Sequence, residues 1–150
     1  MADPQARSVE ESFRRVMDAY GRGRVDEAMS YTASDDDLVV IEPGPHQFWV
    51  GRDQVRKGIQ LDWDTTEGEM PIELGKMYTT VEGNVAWISG DTKINVNFKG
   101  KDLDLRGRFT AIAKRQNGDW KWHTIHIAAP DPGHSEAEAW PTQPQARAGR

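Results

Sequence analysis

A chain of 150 residues is one domain's length, and a domain of that size buries roughly two-thirds of its unfolded surface. With no cysteine, the sequence excludes a disulfide scaffold, a thiolate zinc site and a cysteine nucleophile. Its 19 basic and 24 acidic residues leave a net charge of -5, against a general electrostatic grip on nucleic acid or anionic lipid, and with no apolar run of membrane-spanning length and no signal-peptide pattern at the start, a cytoplasmic protein is expected.

Asp3-Pro4 offers an N-cap followed by proline at the first helical position, and Ser8 with Glu11 repeats the capping-box spacing about one turn later. Val9, Phe13, Val16, Met17 and Tyr20 then recur at helical spacing, which predicts an amphipathic helix ended by Gly21 and Gly23. A short second helix through Val25, Ala28 and Met29 runs into the polar loop Ser34-Asp35-Asp36-Asp37. The apolar run Leu38 to Ile41 reads as a buried strand, Glu42-Pro43-Gly44-Pro45 as a turn, and Phe48-Trp49-Val50 as a return strand. Gly51 opens a third helix that carries Val55, Ile59 and Trp63 at i, i+4 and i+8.

After Gly68 the apolar period changes from 3.6 to 2. Strands are predicted near 71–81, 85–98, 103–115 and 120–128, with a glycine in each short separator. Such separators join only antiparallel neighbours, and Asn117-Gly118 suits the positive φ angles of a tight hairpin, so a four-stranded meander is expected. Beyond Pro130 no periodic apolar face continues; the domain is placed over residues 1–130 and a disordered tail over 131–150.

The order helix, helix, strand, strand, helix and meander, with GRVDEAMSYTASDD at 23–36, Ile41-Glu42-Pro43 ahead of GRDQV at 51–55, and RFTAIAKRQNGDWKWHTIH at 108–126, resembles the nuclear-transport-factor-2-like superfamily. More closely it is similar to the SnoaL-like and ketosteroid-isomerase-like branch, which includes the calcium/calmodulin kinase association domain. The resemblance implies an α+β fold, a cone of three N-terminal helices on a strongly curved mixed sheet, and a homodimer formed through the outer sheet face. Phe109 and Leu105 are expected on that face. The resemblance also implies a cavity on the concave side of the sheet.

Glu42 is the candidate catalytic residue. It follows the apolar run 38–41, where partial burial would raise its pKa and suit a general base. In ketosteroid isomerases an Asp stands at the matching place before proline, nine residues ahead of Gly-Arg, and Glu42 keeps that spacing to Gly51-Arg52. The alternative is a carboxylate that only shapes the turn. That family builds its oxyanion hole from a first-helix Tyr and a meander Asp; here Val16 and Thr110 stand at those positions, with Tyr20 one helical turn beyond Val16.

The register implied by the resemblance turns Thr110 and Arg108 into the cavity, Arg108 as an anion clamp; the alternative pairs Arg108 across strands with Asp91 or Asp104. His123 and His126, three apart on a strand, are expected on opposite faces, which argues against a shared metal site. His126 stands at the place of a histidine common in relatives, and a packed histidine is its alternative. Trp49 and Trp63 border the strand-to-helix turn and are candidate cavity lips, although tryptophans at such spacing also serve as core. Asp35-Asp36-Asp37 lacks the glycine and distal Glu of a calcium loop, and no phosphate loop or dinucleotide fingerprint is present, so neither metal nor cofactor is expected.

The ligand-binding set is therefore Tyr20, Trp49, Trp63, Arg108, Thr110 and His126, around Glu42. These residues lead to a cavity for a small, largely apolar molecule and to cofactor-free proton transfer of the isomerase, cyclase or dehydratase kind. A non-catalytic ligand-binding or assembly module, similar to a kinase association domain, is the alternative; the missing oxyanion donors favour it and Glu42 favours the enzyme.

Overall fold

The computed structural model describes residues 3–130; the tail expected over residues 131–150 lies outside them. Asp3 accepts a hydrogen bond from the Gln5 backbone N–H at 2.9 Å, and Pro4 begins α1 (Pro4–Gly21). The Ser8–Glu11 spacing thus falls inside the helix instead of capping it. Val9, Phe13, Val16 and Met17 are buried along α1 as their spacing predicts. Two short elements follow, α2 (Val25–Ser30) and β1 (Val39–Ile41), then β2 (Phe48–Val50), α3 (Arg52–Asp64) and the meander β3 (Ile72–Glu82), β4 (Val85–Phe98), β5 (Lys101–Gln116) and β6 (Asp119–Ala128). No helix among them is long and apolar enough to cross a membrane.

The six strands form one curved, mixed sheet in the order β2-β1-β6-β5-β4-β3, antiparallel throughout except where β1 runs parallel to β6. Asn117 and Gly118 both take positive φ, 53° and 83°, and turn β5 into β6 in two residues as the sequence predicts. Arg52, at the start of α3, donates to Thr32 Oγ1 at 2.7 Å and to the carbonyls of Ala33 and Met29 at 3.0 and 3.4 Å. It thereby satisfies backbone acceptors left open where α2 ends.

Phe13 decides which sheet face looks inward. Its ring lies 4.6 Å from that of Phe109 on β5 and 4.9 Å from that of Trp122 on β6, centroid to centroid. Phe109, Ala111 and Ala113 are consequently buried, and Arg108 and Thr110, which alternate with them, are exposed on the opposite face. The inward register expected for Arg108 and Thr110 is thus overturned, because three apolar residues fill the helix side of β5. Arg108 sits across from Asp91, the cross-strand alternative. Phe109 likewise belongs to the core, not to an outer patch. Leu105 is half exposed, near the start of β5.

A bulge in β6 corrects a second expectation. Ile112 pairs with Thr124 and Ala113 with Trp122, which leaves His123 as the extra residue. Trp120 and Trp122 before it, and Ile125 and Ile127 after it, all remain buried. The simple alternation behind an opposite-face reading of His123 and His126 does not hold across this point: His123 joins Thr124 on the side away from Trp122, and His126 is exposed beside Thr110. His126 therefore does not reach the concave side.

Trp49 on β2 and Gly58 on α3 show how the third helix docks. A Cβ at position 58 would come within 2.4 Å of the Trp49 ring, so only glycine allows this approach. Alanine favours a helix by about 1 kcal/mol over glycine, but overpacking costs about 1–3 kcal/mol. Gly58→Ala should therefore lower stability by up to about 2 kcal/mol in urea denaturation, and Trp49→Ala should relieve much of that loss in the double variant; a more stable single variant would contradict this packing.

Candidate functional site

Three elements bring acids and a phenol to one end of the concave side. β1 ends at Ile41, and the next residue, Glu42, turns its carboxyl inward beside Val40. On α3 the stripe Val55, Ile59 continues to Asp62, and α1 delivers Tyr20 one turn beyond Val16. The Tyr20 hydroxyl donates to Asp62 Oδ2 at 2.7 Å. Gln47, which closes the β1–β2 turn, donates through Nε2 to Glu42 Oε2 and to Asp62 Oδ1, both at 3.1 Å, while its Oε1 accepts from the Gly44 backbone N–H at 2.6 Å.

Burial pushes the Glu42 carboxyl well above the usual carboxylate range, and the Asp62 charge and a hydrogen bond with Asp62 add to it. Asp62 is also raised, again first by burial, although bonds from Glu42, Tyr20 and Gln47 hold it back. Burial and the two neighbouring acids raise the Tyr20 phenol. The two carboxyls accordingly behave as a pair that retains one proton near neutrality, with Glu42 the protonated member. A protonated and an ionised carboxyl held side by side offer one group that can give a proton and one that can take it.

Beside the pair lies a small cavity of about 40 Å³. Its walls come from Val16 and Tyr20 on α1, Val40 beside Glu42, Val55 and Ile59 on α3, and Ile125 and Ile127 on β6. Two or three waters would fill it, whereas drug-sized ligands need about 300 Å³ or more. A wider groove of about 680 Å³ runs between α1 and the start of β3, but neither acid lines it, and Arg15 and Arg22 within it are already paired with Glu11 and Asp18.

Of the sequence candidates, Glu42 and Tyr20 meet here. Trp49 and Trp63 do not line the cavity. Trp49 packs on Gly58, while Trp63 packs on Gly23 and donates Nε1–H to the Tyr20 carbonyl at 2.6 Å. Trp63 therefore positions Tyr20 from behind. Arg108, Thr110 and His126 lie on the other sheet face. At the far side of the sheet one oxygen or nitrogen each of Asp35, Asp37 and His123 lie within 4.8 Å of one another. Lys114 already holds Asp35 at 2.8 Å and His123 holds Asp37 at 2.9 Å, so these contacts clasp the loop to the sheet.

Asp62 and Gln47 were missed in the sequence. Asp62 did leave a signal: it falls at i+7 from Val55 on the apolar stripe of α3, where a carboxylate needs a reason to be. Gln47 left none, because its contact with Asp62 spans fifteen positions of sequence.

The SnoaL-like domain family matches residues 9–132. Among solved structures, the fold is similar to a dehydratase candidate of the nuclear-transport-factor-2-like family from Streptomyces avermitilis, at 18% identity over 84% of this chain and 96% of that one, with a TM-score of 0.76. It is similar to a candidate calcium/calmodulin-dependent protein kinase II association domain from Xanthomonas campestris, at 18% identity over 88% and 94%, TM-score 0.74. A ketosteroid isomerase-like protein from Erwinia carotovora atroseptica shows 15% identity over 87% and 100%, TM-score 0.69. The sequence matches no curated protein.

The raised Glu42 carboxyl makes stability depend on pH. In the unfolded chain this group titrates near about 4.3; above that pH the folded state binds more protons than the unfolded one, so stability falls as pH rises toward the folded value. Glu42→Gln, which imitates the protonated acid, should flatten the decline between about pH 5 and 8 and be more stable than the parent at pH 8 by about 1 kcal/mol or more. Parallel curves in urea titrations would show that Glu42 is not raised.

Proposed function

Because the chain belongs to the SnoaL-like domain family, within the nuclear-transport-factor-2-like superfamily, we propose that it binds a small, largely apolar molecule beside Glu42 and Asp62 and moves protons on it without a cofactor. The single observation that carries this reading is the pairing of two acids through Gln47 and Tyr20, with Glu42 and Tyr20 in the wall of an apolar cavity. Isomerisation and dehydration each require one acid and one base. Asp62 would take a proton from carbon, and Glu42 would give its proton to a carbonyl oxygen or to a departing hydroxyl group, which leaves as water. The dehydratase candidate among the structural neighbours is compatible with such chemistry.

A test that requires no product is exchange of carbon-bound hydrogen in D₂O, followed by NMR over a panel of small ketones and β-hydroxy carbonyl compounds. The protein should catalyse exchange on a subset, and Glu42→Gln and Asp62→Asn should each lower that rate about a hundred- to ten-thousandfold. No exchange, or exchange indifferent to both variants, removes the enzymatic reading. The small cavity favours the second reading, a non-catalytic assembly module similar in fold to the kinase association domain candidate.

The proposal includes a cytoplasmic location and a homodimer. The outer sheet face exposes Phe48, Val50, Tyr78, Trp87 and Ile112, with Trp87 opposite Ile112 in register. Monomers rarely leave an apolar patch of this kind uncovered. Sedimentation equilibrium should find a dimer, and Trp87→Glu should convert it to a folded monomer; a parent that stays monomeric at micromolar concentration excludes this interface.

A further inference from the structure

Two acids from different elements, held together in an apolar setting, normally have a positive partner, because the interior solvates an unpaired charge poorly. Here none is present among the described residues. The groups that face the pair are the Tyr20 phenol from α1 and the Gln47 carboxamide from the β1–β2 turn, both neutral. Among the described residues neither Glu42 nor Asp62 forms an ion pair, and the Arg52 guanidinium, at the opposite end of α3 from Asp62, is taken up by Met29, Thr32 and Ala33.

The group that spans the acids is informative. A single nitrogen, Gln47 Nε2, lies 3.1 Å from Glu42 Oε2 and 3.1 Å from Asp62 Oδ1, giving one hydrogen to each. It belongs to the β1–β2 turn, and through Glu42 it adjoins a cavity whose walls are mostly aliphatic. A nitrogen carrying several hydrogens therefore fits between the acids, and the protein fills that place with a neutral one.

We propose that the Glu42–Asp62 pair is the receptor for a primary ammonium group, and that the molecule entering the cavity is a short aliphatic amine whose nitrogen displaces the Gln47 carboxamide. This inference rests on the small-molecule reading above and adds the charge and functional group of the ligand. The ammonium supplies the missing positive charge, and its N–H groups take over the two bonds that Gln47 makes. The alkyl body occupies the space between Val16, Val55 and Ile127. A divalent cation fits less well, since Tyr20 and Gln47 already commit donor hydrogens to the acids and few free oxygens remain for its shell.

One consequence separates a cation from a neutral ligand. The empty pair retains one proton, whereas two carboxylates around an ammonium need none, so each binding event releases one proton to solvent. Affinity then rises about tenfold per pH unit while Glu42 is protonated in the free protein. The experiment is titration calorimetry of the full chain with n-propylammonium chloride, run in two buffers of different ionisation enthalpy, with 1-propanol, tetramethylammonium and magnesium chloride as comparisons. Propylammonium should bind most tightly and release close to one proton. Glu42→Gln should abolish the proton release and weaken the amine at least about tenfold, a larger loss than for 1-propanol. Gln47→Ala, which removes the internal competitor, should tighten the amine severalfold. Propylammonium no tighter than 1-propanol, binding without proton release, or a site that takes magnesium alone overturns the inference and leaves a cavity for some other ligand. Binding of no organic probe overturns the cavity reading as well.

Discussion

The contact of Phe13 with Phe109 and Trp122 is the constraint on which the rest of the structure depends. One ring on α1 meets β5 and β6 together and so sets the side-chain phase of both strands at once. In a strand a shift of one residue exchanges the faces completely. The same contact that buries Ala111 and Ala113 therefore sends Arg108, Thr110 and His126 to the other side, and leaves Ile125 and Ile127 as the floor of the cavity. An arginine clamp inside the cavity is incompatible with this aromatic contact.

The acids exist at the margin of that core. Each costs free energy to bury, and the structure reduces the cost through hydrogen bonds from Tyr20 and Gln47 without cancelling the charge. Trp63 holds the Tyr20 backbone, and the turn that carries Gln47 is closed by its own bonds to Gly44. The arrangement is stiff around a pair of groups that oppose folding. Such local conflict, maintained by its surroundings, is typical of places where a protein binds or reacts.

Much of the architecture was legible because it is written locally. The α1 stripe, the glycine-bearing turns and the period-2 run after Gly68 fix three helices and a meander, and Asn117-Gly118 turns as its backbone freedom requires. What alternation leaves undetermined is which face is inside, since Phe109 and Thr110 offer equally regular sets; only the ring on a distant helix decides. The SnoaL-like resemblance located Glu42 correctly at the end of β1 but carried a cavity register for Arg108, Thr110 and His126 that these residues do not follow. Asp62 was visible as a misplaced polar residue on an apolar stripe. Its partnership with Glu42 depends on a contact between α3 and the β1–β2 turn that no spacing within either element specifies.

The bulge at His123 bears on how this chain can change in evolution. β6 keeps Trp120 and Trp122 on the same side as Ile125 and Ile127 because His123, the surplus residue between them, is taken up in the bulge. Straightening the strand with that residue in place would turn either the tryptophans or the isoleucines toward solvent, whereas its deletion would set Trp122, Thr124 and Ile125 in strict alternation with all four apolar side chains still inside. Substitution or deletion at position 123 therefore gives up a surface bond to Asp37 and leaves the core in phase. The strand thus carries one residue of slack in its length.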